Sequence, residues 1–167
     1  RNRANDVNYG YHQDPDFYYL TGFRDPDAML FLFKNPYQLN DGSTTNELLL
    51  IREPAASREL WTGRMATATE IATLSGISTV RYTSDAANFD LPYSSFKVVM
   101  HLKLPQGAAN DRQDQYEVYD LLKKFNDLTA DKSVRTDDYK LEKALTRLRE
   151  IKSPEEKKRL KSVMEGL

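Results

Sequence analysis

Short apolar runs separated by turn residues fill the first half of the chain. Segments 28–34, 47–52 and 78–82 have the length and composition of β-strands, and a fourth strand is predicted over 96–102. The first two segments are apolar at successive positions, which is typical of strands buried on both faces. The Asp41–Gly42 turn signal lies between these two segments, so we expect them to pair antiparallel.

Helix-capping residues predict helices between these strands. Asp14 is a typical N-cap before Pro15, and Gly22 is a typical residue just after a last turn, so a helix is predicted over residues 15–21. Thr67 and Glu70 have capping-box spacing, which predicts a second helix that runs to about residue 75. Within the first helix motif, we expect Phe17, Tyr19 and Phe23 in the core, whereas Tyr9, Tyr11 and Tyr18 carry hydroxyls suited to the border of a cleft.

The second half of the chain has a helical pattern. One helix is predicted from residue 110 or 111 to about 125, and another from Thr136 or Asp137 with leucines on one face. Ser153-Pro154-Glu155-Glu156 then combines an N-cap, a proline at the first helical position and a capping-box glutamate. We expect a domain junction there, since the charged helix that it opens breaks off at Leu167. Strands alternating with helices indicate an α/β fold.

Composition narrows the function classes. The chain has 167 residues, which suits one domain or one domain with part of another. With 24 Lys and Arg against 25 Asp and Glu, nothing favours a nucleic-acid or anionic-membrane partner. The absence of Cys excludes disulfides, zinc ribbons and thiol nucleophiles. No apolar run approaches the roughly 20 residues of a membrane span, and we take a cytoplasmic location as an expectation. Because the chain starts at Arg1 without Met, we expect its natural N-terminus to lie outside this sequence.

Catalytic and metal-binding patterns are missing from the sequence. The two histidines, His12 and His101, belong to no His-Glu-x-x-His motif, and His101 sits in an apolar segment typical of a core or edge residue. There is no Gly-x-Ser-x-Gly nucleophile motif and no glycine-rich phosphate loop. We therefore predict no catalytic residue and no metal site within this chain.

Three motifs in sequence order carry a family resemblance. They are Tyr9-Gly-Tyr-His-Gln-Asp-Pro-Asp-Phe-Tyr-Tyr-Leu-Thr-Gly-Phe23, Trp61-Thr-Gly63-Arg64 and Arg149-Glu-Ile-Lys-Ser-Pro-Glu-Glu156. Together they resemble the N-terminal, non-catalytic domain of Xaa-Pro aminopeptidase (aminopeptidase P), a pita-bread metallopeptidase of the creatinase/prolidase superfamily. Three positions differ from the usual Pro, Arg and Ser of the first motif: Gly10, His12 and Pro15.

The resemblance implies a fold, a domain division and two site residues. The fold would be a mixed β-sheet flanked by helices on both faces, of the creatinase/prolidase N-terminal type, which is ribonuclease H-like. Residues 1–152 would form this domain and residues 153–167 the first helix of a C-terminal catalytic domain. In the family, the tryptophan matching Trp61 reaches a neighbouring subunit's active site, and the aspartate matching Asp6 lies near the substrate's end. Arg64, three residues after Trp61, is suited to pairing with a carboxylate.

The resemblance also implies a function. The whole protein would remove the N-terminal residue that precedes proline, with two divalent metal ions, expected to be manganese, held by the catalytic domain. This chain would shape the substrate cleft and support a homo-oligomer, and alone it would be inactive. Its partners would be its own catalytic domain, further copies of itself, and a peptide with Pro at the second position. Two alternatives stay open, a prolidase-type dipeptidase and a non-catalytic platform that binds peptides or proteins.

Overall fold

The largest described element is a three-stranded sheet with helices packed on it. The computed structural model describes residues 3–4, 7–8, 12–88, 95–102, 122–123, 125–127 and 135–165. Within these ranges the side chains of residues 3, 4, 7, 8, 58, 61, 62 and 86–88 are not described.

The described helices and strands alternate along the chain. In order they are β1 (Arg3–Ala4), β2 (Val7–Asn8), α1 (Pro15–Thr21), β3 (Met29–Gln38), β4 (Thr44–Ile51), α2 (Ala56–Thr62), α3 (Ala68–Ser75), β5 (Thr79–Tyr82), a 3₁₀ helix (Thr83–Asn88), β6 (Val99–Met100), β7 (Thr136–Asp137), α4 (Tyr139–Glu150) and α5 (Pro154–Glu165).

The main sheet is mixed, with strand order β3-β4-β5. Strands β3 and β4 pair antiparallel, with Met29 opposite Leu50, which confirms the predicted pairing. Strands β4 and β5 pair parallel, with Leu48 opposite Thr79. Two further pairs have two residues in each strand: β1 with β2, antiparallel, and β6 with β7, parallel.

The β3–β4 hairpin is longer than the sequence predicts. Residues 35–46 read as a loop, but β3 continues through its Pro36 to Gln38 and β4 begins at Thr44. The ladder shifts register between Leu32 and Tyr37, and the Asn46 amide donates a hydrogen bond to the Phe33 carbonyl (3.1 Å) within this irregular stretch. The predicted Asp41–Gly42 turn is confirmed, because Asp41 accepts from the Ser43 backbone N–H (2.9 Å) and Gly42 has a φ of 82°.

The core lies on both faces of β4. Its four residues from Leu48 to Ile51 are at most 1% exposed. Leu49 and Ile51 belong to a cluster that includes Ile71 of α3, with Phe17 of α1 packed against it. Leu48 and Leu50 belong to a second cluster whose described partners all come from β3 and the hairpin. The predicted mixed α/β fold with helices on the sheet is therefore confirmed. The ribonuclease H-like detail stays a prediction, and the described residues place α1 and α3 on the first face.

The ends of α1 match the predicted capping residues. A carboxylate oxygen of Asp14 accepts hydrogen bonds from the backbone N–H groups of Asp16 (3.0 Å) and Phe17 (2.9 Å). Gly22 ends the helix in the left-handed region, with a φ of 66°. Such local signals determine helix ends without help from distant residues.

The strand and helix starts in the second half differ from prediction. The strand predicted over 96–102 is reduced to the two residues of β6. The helix predicted from Thr136 or Asp137 starts at Tyr139, because residues 136 and 137 pair with β6 first. Its N-cap is Asp138, which makes no side-chain capping hydrogen bond. The Asp137 Oδ1, one residue earlier, accepts from the Lys140 backbone N–H (2.8 Å). Most of the helix predicted from residue 110 or 111 lies outside the described residues. In that part of the chain, residues 122, 123 and 125–127 are described, and they are helical.

The chain divides into two compact units. One comprises Arg1–Pro92 with Ala108–Asp127, and the other comprises Tyr93–Gly107 with Leu128–Leu167. The domain boundary expected at residue 152 stays a prediction. No helix among the described residues is long and apolar enough to cross a membrane.

Replacing Leu49 with Ala is expected to lower the free energy of unfolding by about 2–5 kcal/mol, since a cavity would form in the core. Leu49 is 0% exposed, whereas Leu32 on the neighbouring strand is 59% exposed. The control Leu32→Ala should therefore change stability by less than about 0.5 kcal/mol. Urea unfolding followed by circular dichroism measures both variants, and equal losses would contradict this account of the core.

Candidate functional site

The two residues implied by the family resemblance are described to different extents. Asp6 lies outside the described residues. Trp61 lies in α2, whose backbone is described, but its side chain is not. The candidate site is therefore built from the described residues around Trp61, in particular residues 63–67 between α2 and α3, which we call the α2–α3 segment.

Gly63 ends α2 and turns the chain. Its backbone N–H donates to the carbonyl of Glu59 (3.0 Å), and its φ of 82° with ψ of 175° lies outside the helical region. Apart from its chain neighbours, no described residue has a heavy atom within 4 Å of the position that a Cβ would occupy. A glycine suits this position because of its backbone conformation, not because space is short.

Glu59 fixes the α2–α3 segment from the side of α2. Its Oε1 accepts a hydrogen bond from the backbone N–H of Met65 (2.9 Å), six residues further along the chain. Its backbone carbonyl already accepts from Gly63. One residue of α2 therefore holds both the helix end and the middle of the segment that follows.

Glu70 fixes the same segment from the side of α3. One carboxylate oxygen, Oε2, accepts from the backbone N–H (2.8 Å) and the hydroxyl (3.0 Å) of Thr67. The other, Oε1, accepts from the guanidinium of Arg64 at 2.5 Å. The Glu70 backbone N–H donates to the Thr67 hydroxyl (3.3 Å), which completes the predicted capping box. Arg64 thus pairs with a carboxylate, as its residue type predicts.

These hydrogen bonds lower the pKa of Glu70 to about 2. The largest cause is the Thr67 backbone N–H, followed by Arg64 and the Thr67 hydroxyl, all of which stabilise the charged carboxylate. The Arg64 side chain is 74% exposed and that of Glu70 is 39% exposed. An ion pair this exposed contributes little stability by itself, so the backbone capping is the more important interaction.

Helix α3 links the segment to the sheet. Ile71 of α3 is 8% exposed and belongs to the cluster that also contains Leu49 and Ile51. The Tyr82 hydroxyl of β5 accepts a hydrogen bond from the Ala68 backbone N–H (3.2 Å), at the first residue of α3. The carboxylate of Glu70 is therefore carried by a helix that is itself anchored in the core.

The aromatic residues of the first motif, Tyr9 to Phe23, divide between core and surface where they are described. Phe23 is 6% exposed and Phe17 packs against the same cluster, as expected. Tyr19 was expected in the core but is 38% exposed, and Tyr18 is 39% exposed. The Arg24 guanidinium lies 5.1 Å from the Tyr18 ring centroid and donates to its hydroxyl (2.9 Å). Tyr9 and Tyr11 lie outside the described residues.

Among the described residues, no group of three or more His, Asp or Glu side chains could hold a metal ion. His101 is half-buried, and its Nδ1 lies 2.8 Å from the Leu102 carbonyl oxygen. His12 is exposed. The resemblance implies two divalent ions in the catalytic domain, so no catalytic step through a metal is assigned to these side chains.

Comparison with known proteins identifies the family. The family model for the aminopeptidase P N-terminal domain matches residues 1–92, more than half of the chain. The chain belongs to this family. Its fold agrees with solved aminopeptidase P structures. Escherichia coli aminopeptidase P has a TM-score of 0.58 at 24% identity, covering 92% of this chain and 33% of that chain. Proline aminopeptidase P II from Yersinia pestis has a TM-score of 0.59 at 24% identity, covering 92% of this chain and 34% of that chain.

Curated relatives match shorter stretches of this aminopeptidase P-type domain. Xaa-Pro aminopeptidase of Escherichia coli (strain K12) is 37% identical over 62 residues, which is 37% of this chain and 13% of that protein. Xaa-Pro aminopeptidase 3 of Homo sapiens is 40% identical over 60 residues, 36% of this chain and 11% of that protein. Intermediate cleaving peptidase 55 of Schizosaccharomyces pombe is 67% identical over 27 residues, 16% of this chain and 6% of that protein. The matches therefore span a small part of each relative and about a third of each solved chain.

Glu70 is expected to stabilise the fold above its ordinary pKa and to lose this effect in acid. Its pKa falls from 4.5 to about 2 on folding, so the folded state favours the charged form. The stabilisation is complete when the pH is above the ordinary pKa of the carboxyl group. It disappears as the pH falls through the pKa of the folded state. The stability difference between wild type and Glu70→Gln should therefore be largest at neutral pH and shrink as the pH falls from 4.5 to about 2.

Urea unfolding of both proteins across this pH range measures the difference. The variant is also the control, because the change of its own unfolding free energy with pH comes from the other titrating groups, which both proteins share. A difference that does not vary with pH would contradict the assigned cause of the pKa shift.

Proposed function

We propose that this chain is the N-terminal domain of an Xaa-Pro aminopeptidase, which removes the N-terminal residue preceding proline. In this proposal the chain shapes the substrate cleft and supports a homo-oligomer, while the bond is broken in a separate catalytic domain. The observation that carries the proposal is the turn at Gly63, between Trp61 and the α3 helix, in a chain of this family. Glu59 and Glu70 hold it by hydrogen bonds of 2.5–3.0 Å to the α2–α3 segment.

The length of the solved relatives supports a separate catalytic domain. The structural match includes 92% of this chain but only 33% of the Escherichia coli aminopeptidase P chain. We place the two divalent metal ions, with manganese expected, in that further part of the protein. This chain would then contribute binding surface and not the reacting groups.

Trp61 and Asp6 are the proposed contacts with the substrate and with a neighbouring copy. Trp61 precedes the last residue of α2, directly before the Gly63 turn. An indole combines a large apolar surface with one N–H donor, which suits contact with a proline ring in a partly wet cleft. The carboxylate of Asp6 suits the free ammonium group of a peptide N-terminus.

Helix α5 is the proposed start of the catalytic domain. Its capping box is formed, since the Ser153 N–H donates to Glu156 (2.7 Å) and the Glu156 N–H donates to the Ser153 hydroxyl (3.2 Å). None of its described residues is buried. Leu160, Val163 and Met164 are 52%, 64% and 77% exposed, and their spacing places them on one face. We propose that this face packs within the catalytic domain.

A peptidase has more support than the alternatives. The curated relatives named above are two Xaa-Pro aminopeptidases and one intermediate cleaving peptidase. We therefore favour an aminopeptidase over a prolidase-type dipeptidase or a binding platform. A cytoplasmic location is part of the proposal and rests on the sequence alone.

The whole protein is expected to cleave peptides with proline at the second position, whereas this chain alone should not. Within the whole protein, Trp61→Ala should raise KM for an Xaa-Pro peptide by roughly tenfold, which corresponds to about 1.4 kcal/mol of lost binding. Leu60→Ala is the matched control, because Leu60 is the adjacent apolar residue and is 84% exposed. Steady-state kinetics with an Xaa-Pro and an Xaa-Ala peptide measure both effects.

Two results would contradict this proposal. Proline-specific cleavage that follows the isolated chain through successive columns would place the chemistry here. A Trp61→Ala protein with the same kinetics as Leu60→Ala would remove the cleft role of Trp61.

A further inference from the structure

The described side chains of helix α2 lie outside the buried core clusters. Of its seven residues, the side chains of residues 56, 57, 59 and 60 are described, and none of them belongs to a buried cluster. Leu60 is 84% exposed. A helix this short is not stable without contacts to the rest of the protein. Among the described residues, hydrogen bonds at the C-terminal end of α2 connect it to the chain that follows.

The connection at its C-terminal end is unusually well fixed. Three residues of the α2–α3 segment are held by two carboxylates: Met65 by Glu59, and Arg64 and Thr67 by Glu70. Glu59 lies on α2 and Glu70 on α3, so the segment is tied to both helices. Because Ile71 anchors α3 in the core, these bonds connect the end of α2 to the core through α3.

We propose that Glu59 and Glu70 are positioning residues that hold the C-terminal end of α2, the part of the helix backbone that contains Trp61, in one orientation. The inference rests on the proposed role of Trp61 in the cleft and extends it to two residues outside the assigned site. Glu59 is two residues before Trp61, and its carboxylate bridges the Gly63 turn to reach Met65. A wall residue fixed before the substrate arrives costs less conformational entropy on binding. Loss of either carboxylate should therefore weaken substrate binding more than it slows the chemical step.

The chain contains a single tryptophan, so its fluorescence reports on Trp61 alone. We would compare Glu59→Gln, Glu70→Gln and the double variant with wild type by acrylamide quenching and steady-state anisotropy. Asp41→Asn is the matched control. Asp41 is another surface carboxylate with a pKa lowered to about 2, by Ser43 and then Arg81, but it lies in the β3–β4 turn.

The expected result is a roughly twofold rise in the quenching constant with lower anisotropy for each glutamate variant, as local opening becomes more frequent. The double variant should show the largest change, and Asp41→Asn should match wild type. Far-UV circular dichroism should be unchanged in all four. If Glu70→Gln fails to fold, Glu59→Gln still tests the proposal, since it leaves the α3 capping box intact.

In the whole protein, the glutamate variants should raise KM for an Xaa-Pro peptide and leave kcat nearly unchanged, while Asp41→Asn leaves both unchanged. Quenching and anisotropy equal to wild type in Glu59→Gln would overturn the positioning role, whatever the kinetics. A changed quenching constant together with an inert Trp61→Ala would uphold the positioning role and overturn the proposed function of Trp61. The two failures are therefore distinguishable.

Discussion

The structure depends on the burial of β4 on both faces. Four consecutive apolar residues, Leu48 to Ile51, are almost completely removed from solvent. A strand of this kind is stable only when other elements cover each face, since its side chains alternate between them. On one face this requirement brings α1 and α3 against the sheet, and Ile71 shares a cluster with Leu49. The same burial therefore fixes the helix that carries Glu70, so the candidate site depends on the core.

Two surface carboxylates show the same electrostatic pattern at different turns. Asp41 and Glu70 both have a pKa of about 2, and in each case backbone N–H and hydroxyl donors are among the largest causes. Each also pairs with an arginine, Arg81 or Arg64. Exposed ion pairs are weak because water screens them. The arginines are therefore secondary, and the carboxylates act mainly by closing turns on the backbone.

Sequence patterns predicted the features that depend on local chemistry. The helix ends at Asp14, Gly22 and the Thr67–Glu70 capping box are confirmed, because each uses only neighbouring residues. Helix α2 was not predicted, since its N-cap is Ala55 and makes no side-chain hydrogen bond. The extension of β3 past residue 35 and the exposure of Tyr19 depend on tertiary packing, which periodicity does not report. The bond from Glu59 to Met65 also had no sequence signal, because it exists only once Gly63 has turned the chain.

The described connection of α2 to the chain that follows it is made by hydrogen bonds. Leu60 of α2 is 84% exposed, and α2's described side chains stay out of both buried clusters. Glu59 and Glu70 accept hydrogen bonds from the backbone N–H groups of Met65 and Thr67, and so fix the α2–α3 segment from the helix on each side. Charged carboxylates suit this purpose because their bonds to backbone N–H groups are strong and directional. The α2–α3 segment is therefore held from both helices by local hydrogen bonds, next to the backbone position of Trp61.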